Sequence, residues 1–169
     1  QMDRFLMHIY IDYGDESSEG QVIRLVRGEE HPNRPESTAT EHVSKALPEP
    51  IPQGAVFAAR NEISAVTVSD IVERYMVDLI FATRYPERYS ADLKRWIQIG
   101  ASPRGALALD RCARAKAWLA GRDHVLPEDV RDITHDCLRH RLSLSYEASA
   151  DGLSANDIIG QLLEQVAVA

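Results

Sequence analysis

Gly100-Ala101-Ser102-Pro103-Arg104-Gly105 opens the stretch whose reading decides the fold. Serine followed by proline marks a helix start. The hydroxyl can accept from a free backbone N–H, and the fixed φ of proline suits the first helical position. Leu109, Cys112, Ala113 and Trp118 then recur at helical spacing, and Gly121 closes the segment. Arg104 sits in the first turn, where the helix N-terminus is already positive, so a cation there calls for an anion to meet. Free N–H groups with a guanidinium fork suit a phosphate. Arg111 and Arg114 lie within about 80° of Arg104 around the same helix. The ordinary alternative is a solvated polar face.

Working outward, the pattern stays helical from residue 53 almost to the end. Gln53 to Ser64 reads as a short helix. Ser69 caps a stronger one, with Asp70 in its first turn and Ile71, Val72, Tyr75, Met76, Leu79, Ile80 and Thr83 at three- and four-residue spacing. Pro127-Glu128-Asp129-Val130 opens another helix to about Arg139, and Ser154 caps a last one carrying Ile158, Ile159, Leu162, Leu163 and Val166. Leu142 to Tyr146 alternates weakly and suits an extended segment. The expected core includes Ile71, Tyr75, Leu79, Ile80, Leu109, Cys112, Ala113, Ile133, Leu138, Ile159 and Leu163.

The beginning of the chain reads differently. In Phe5 to Asp12, Met7, Ile9 and Ile11 alternate with His8 and Tyr10, the period of a strand. No second strand follows at hairpin distance, so this strand needs a sheet from other residues. Asp15 to Arg27 fits a helix ending at Gly28. Five of the eight prolines fall between Glu29 and Pro52, which reads as an extended connector. The expected division is 1–28 as the last strand and helix of an α/β core, 29–52 as the proline-rich connector, and 53–169 as a helical domain. The fold class is therefore mainly α, a bundle of about four to five helices with an N-terminal strand left over from an α/β core.

The 169 residues carry 26 acidic and 19 basic side chains, a net charge of −7. Nucleic-acid binding needs clustered Lys and Arg, so this balance disfavours it. No apolar run approaches the ~18 residues a membrane span needs. Two cysteines, Cys112 and Cys137, are too few for a disulfide framework and suggest a reducing, cytoplasmic setting. His135, Cys137 and His140 lack metal-ligand spacing, and no metal is expected. Arg131, Arg139 and Arg141 read as a solvated helix face, and Trp96 and Trp118 as core or interface aromatics.

Five short stretches together carry a family resemblance. Gln1-Met2-Asp3-Arg4-Phe5 resembles the "LDRF" element of MoxR-type AAA+ ATPases, with Met2 where Leu is usual. Ala82-Thr83-Arg84 is similar to the family's "ATR" segment, and Gly100 to Arg104 to its sensor-2 motif, "GASPR". Gly121-Arg122-Asp123-His124-Val125 with Pro127 to Val130 resembles "GRDYV-PEDV", with His124 for Tyr. Leu138-Arg139-His140-Arg141-Leu142 is similar to "LRHR". The stretches occur in the family's order.

This resemblance implies the C-terminal portion of such an ATPase: the end of the nucleotide-binding core, then the helical lid. It implies a homo-oligomeric ring, usually a hexamer, using ATP and Mg in the full-length protein, with chaperone-like remodelling or maturation of clients bearing von Willebrand factor A domains. Arg4 is implied as arginine finger and Arg104 as the sensor-2 residue, with Ser102 and Pro103 beside it at the nucleotide. A G-x-x-x-x-G-K-[ST] phosphate loop and a Mg-binding acidic strand are absent from these residues, so the chain alone is expected to be inactive and to hold no nucleotide tightly. The rival expectation is an autonomous helical module that binds protein partners and no nucleotide.

Overall fold

The computed structural model describes residues 1–30 and 49–168, apart from the side chains of 29 and 30. Two compact units emerge: Gln1–Ile9 with Gln53–Ala169, and Tyr10–Pro52. Most of the proline-rich connector lies outside the described residues.

In the smaller unit α1 spans Glu16–Glu30, three residues past the expected end at Arg27. Its start is fixed by Asp15, whose carboxylate accepts from Ser18 N at 2.7 Å.

The larger unit begins with a single 3-10 turn, Met2–Arg4. Its helices are α2 (Gln53–Ala65), α3 (Asp70–Arg84), α4 (Ala91–Trp96), α5 (Pro103–Leu119), α6 (Pro127–Leu138), α7 (Tyr146–Ala150) and α8 (Ala155–Gln165). Serine hydroxyls cap five of them: Ser69, Ser90, Ser102, Ser145 and Ser154 each accept from a backbone N–H of the following helix. The mainly helical expectation holds. The two shortest helices, α4 and α7, go beyond a simple bundle of four or five.

The expected strand over Phe5–Asp12 is not formed here. Residues 7–15 have no regular secondary structure. A strand's backbone needs a ladder partner, and none pairs with this segment among the described residues. The small sheet lies elsewhere: β1 (Ile97–Ile99) runs antiparallel to β2 (Ser143–Leu144), the segment whose weak alternation suited extended structure.

α5 packs on both α3 and α6, and α6 on α8. Tyr75, Leu79, Ile80, Leu109, Ala113, Val130, Leu138, Ile158, Ile159 and Leu162 form the fully buried centre. Ile71 is the one expected core residue that fails, at 54% exposed. It is one position, about 100°, off the stripe that Val72, Tyr75, Met76, Leu79 and Thr83 bury. Cys112 and Cys137 are buried free thiols. Among the described residues no helix is long and apolar enough to cross a membrane.

Candidate functional site

The Gly100–Arg104 loop is held by the end of α3. Ala101 N donates to Thr83 Oγ1 at 2.9 Å, and Arg84 Nε donates to Ala101 O at 2.8 Å. A Cβ on Gly100 would lie 2.3 Å from the Thr83 carbonyl oxygen, so no other residue lets the two chains approach. Gly105 does the same one turn on. A Cβ there would meet Ile80, Ala101 and Leu138 at 2.9 to 3.3 Å. The "ATR"- and "GASPR"-like stretches are thus two halves of one locked corner, and Arg104 leaves it on the first turn of a fixed helix.

The anion that meets Arg104 in this chain is Asp3. Arg104 Nη1 donates to Asp3 Oδ2 at 3.1 Å, and Ser102 Oγ donates to the same carboxylate at 2.9 Å while accepting from Arg104 N at 3.2 Å. From the other side Arg141 Nε donates to Asp3 Oδ1 at 3.1 Å. Burial acts to raise the pKa of Asp3. The hydrogen bonds from Ser102 and Arg104 and the charge of Arg141 outweigh it and hold the carboxyl below its usual range.

The two cationic ends of this network differ. Arg104's side chain is 58% exposed and Arg141's only 2%. Arg141 also donates to the carbonyls of Asp3, Phe5 and Leu6, at 3.2, 2.5 and 3.2 Å, and to that of Cys137. Beside it His140 Nε2 donates to Phe5 O at 3.2 Å, and His8 N donates to Asp136 O at 2.8 Å. Burial, and secondarily the charges of Arg141 and His8, push the His140 pKa down against the hydrogen bond to Phe5 O. Arg4 is exposed and makes no salt bridge or side-chain hydrogen bond among the described residues.

The structure therefore brings the turn bearing Arg4 onto the start of α5, where Ser102, Pro103 and Arg104 lie. It does not assemble an arginine stripe. Arg114 is paired with Asp110 at 2.5 Å, and of the three arginines on α5 only Arg111 is exposed without a partner among the described residues. The expected solvated face of Arg131, Arg139 and Arg141 holds only for Arg131, which is exposed while it donates to Leu163 O. Arg139 is half-buried and pairs with Asp136, and Arg141 is buried in the network above. Sequence reading missed Asp3 and Arg141 as a pair because they are 138 positions apart. The signal was there only as two charged residues inside two recognisable stretches.

Further along, Gly121 adopts φ +72° and turns the chain so that Arg122 reaches back to Asp129. That carboxylate is 2% exposed, takes a two-pronged contact of 2.6 and 2.7 Å, and caps α6 by accepting from Leu126 N. Thr67 bridges the same loop through Asp123 O and Val125 N. This stretch is structural. It fixes α6, and Arg141 lies in the turn just after that helix ends.

The residues present fit a polyphosphate in part. Arg104 has guanidinium donors left after its one bond to Asp3, and Arg4 is open to solvent.

Comparison with known proteins agrees with this architecture. Residues 91–162 match the AAA lid domain family. The helical unit is an AAA+ lid with an N-terminal turn docked on it. Chaperone MoxR1 of Mycobacterium tuberculosis is 36% identical over 169 residues, covering 99% of this chain and 41% of that protein. YeaC of Bacillus subtilis, an uncharacterised protein, is 30% identical over 99% of this chain and 46% of its own length. A crystal structure of a "putative ATPase" from Cytophaga hutchinsonii superposes with a TM-score of 0.83 at 37% identity, covering 99% of this chain and 48% of that one. The chain belongs to the MoxR family of AAA+ ATPases and spans less than half the length of these relatives.

Proposed function

We propose that these residues supply two cations, Arg4 as arginine finger and Arg104 as sensor 2, to ATP bound mainly by residues outside this sequence. The observation that carries the reading is the Asp3 carboxylate, which fastens the Arg4 turn to the helix start bearing Arg104. Phosphoryl transfer develops charge on the γ-phosphate oxygens and the leaving oxygen, and a planar guanidinium placed there stabilises the transition state. Lysine would supply charge without the fork.

Magnitudes indicate which contact yields when phosphate arrives. The exposed Arg104–Asp3 pair is worth about 0–1 kcal/mol, so Arg104 can exchange it for a polyphosphate. On the other side of the same carboxylate the Arg141 guanidinium is buried, so the Asp3–Arg141 contact is better shielded from water and stays. Arg4 and Arg104 thus act from one body on one ATP. Because a finger reaches across a subunit boundary, that ATP belongs to the neighbouring subunit of a homo-oligomeric ring, a hexamer by family resemblance. Ser102 and Pro103 position Arg104 through the cap and the helix start. Rotation of the lid then passes nucleotide state to a client, for which a von Willebrand factor A domain is the family's precedent. Magnesium and the phosphate loop would come from the rest of the full-length protein.

The test is steady-state phosphate release by the full-length protein. Arg4→Ala should lower kcat by on the order of 10³, as finger removal does in other phosphoryl-transfer enzymes. Arg104→Ala should also lower it, with a rise in KM for ATP. Wild-type turnover in both variants would reject the reading and favour a helical module that uses no nucleotide.

A further inference from the structure

We infer that Arg141 is the positioning residue for the arginine finger, an inference that rests on the reading of Arg4 given above. A guanidinium that is 2% exposed must have its charge matched and its N–H groups satisfied. Arg141 meets this demand almost wholly from one short segment. Four of its five acceptors are the Asp3 carboxylate and the carbonyls of Asp3, Phe5 and Leu6. The fifth, Cys137 O, ties it to the last turn of α6, which ends three residues before it.

These acceptors flank Arg4 on both sides, and the Arg4 side chain makes no hydrogen bond or salt bridge among the described residues. Its direction is set by the backbone of the turn, and that backbone is set by Arg141. Three bonds to consecutive or near-consecutive carbonyls also fix the turn's orientation, which a single ion pair would not do. The other half of the Asp3 carboxylate reaches Ser102 and Arg104. Arg141 therefore couples the lid, through α6, to the finger, and keeps the finger in register with the sensor-2 residue.

The experiment uses the full-length protein with Arg141→Met and Arg141→Lys, each alone and combined with Arg4→Ala. Phosphate release gives kcat and KM, and hydrogen exchange reports protection of the amide of His8, which donates to Asp136 O. Arg141→Met should lower kcat roughly 10²-fold with KM for ATP changed less than about 3-fold, because the finger is lost and the nucleotide site is not. Arg141→Lys should recover part of kcat, since an ammonium can still reach the Asp3 carboxylate but cannot span the three carbonyls. In the Arg4→Ala background Arg141→Met should cost less than about 2-fold more, the non-additivity of two residues acting through one group. His8 should exchange faster in Arg141→Met while the α5 and α6 amides keep their protection.

Wild-type turnover in Arg141→Met would overturn the inference. So would losses in kcat and KM that multiply with Arg4→Ala, accompanied by general loss of protection, which would make Arg141 a fold residue only. Wild-type turnover in Arg4→Ala alone would instead overturn the finger reading itself, so the two failures are told apart.

Discussion

Gly100 shows how little room the corner around Arg104 leaves. Its missing side chain is what lets the Thr83 carbonyl approach within 2.3 Å of where a Cβ would stand. Backbone atoms cannot swing aside as a side-chain tip can, so Gly100→Ala must shift either the end of α3 or the start of α5. Overpacking of this kind costs about 1–3 kcal/mol. Thermal denaturation should show that loss, with Arg104→Ala, an exposed side chain, costing under about 1 kcal/mol by comparison. The glycine was visible in the sequence only as part of a recognised stretch. Its physical reason, contact with residue 83, is a tertiary fact that no local pattern carries. The same holds for Asp3 and Arg141. Local reading explained why an arginine on the first turn of a helix wants an anion, and the structure supplies that anion from the far end of the sequence.

At the scale of elements, serine capping and helical spacing made α3, α5, α6 and α8 legible, because capping and amphipathic burial act within a few residues. The 3-10 turn and the short helices α4 and α7 were not legible as such, since short elements owe their form to what they pack on. The Phe5–Asp12 alternation pointed to a strand, but pairing decides whether alternation becomes one, and no partner strand is present among the described residues. The loop before α6 gives a sharper test. Arg122 is the matching charge for a carboxylate that is 2% exposed. Its hydrogen bond is the main cause holding the Asp129 pKa below the ordinary value of 3.8, against desolvation. A depressed carboxylate contributes stability above its unfolded pKa, and loses it as pH falls below that value toward the folded one. Arg122→Ala should cost about 3 kcal/mol near neutrality by leaving a buried charge unpaired. The penalty should shrink as the pH is lowered below about 4, where the unpaired carboxyl takes up a proton. Denaturant titrations at pH 7 and at about pH 3 read both effects.

Taken as a whole molecule, the lid carries a docked turn rather than a loose tail. Arg4, Asp3, Ser102, Arg104 and Arg141 belong to one compact unit. That unity is the central claim, and it makes a statement about rings. If both arginines leave one subunit for the same ATP, every complete site needs both from a single neighbour. If instead Arg104 served its own subunit's ATP and Arg4 the neighbour's, one subunit could make good the other's defect. The decisive measurement is therefore phosphate release by an equal mixture of full-length Arg4→Ala and Arg104→Ala subunits, assembled together. The account predicts that the mixture releases phosphate no faster than the mean of the two variants alone. Recovery toward about a quarter of wild-type turnover, the share of sites that random mixing would complete in a head-to-tail ring, would contradict it.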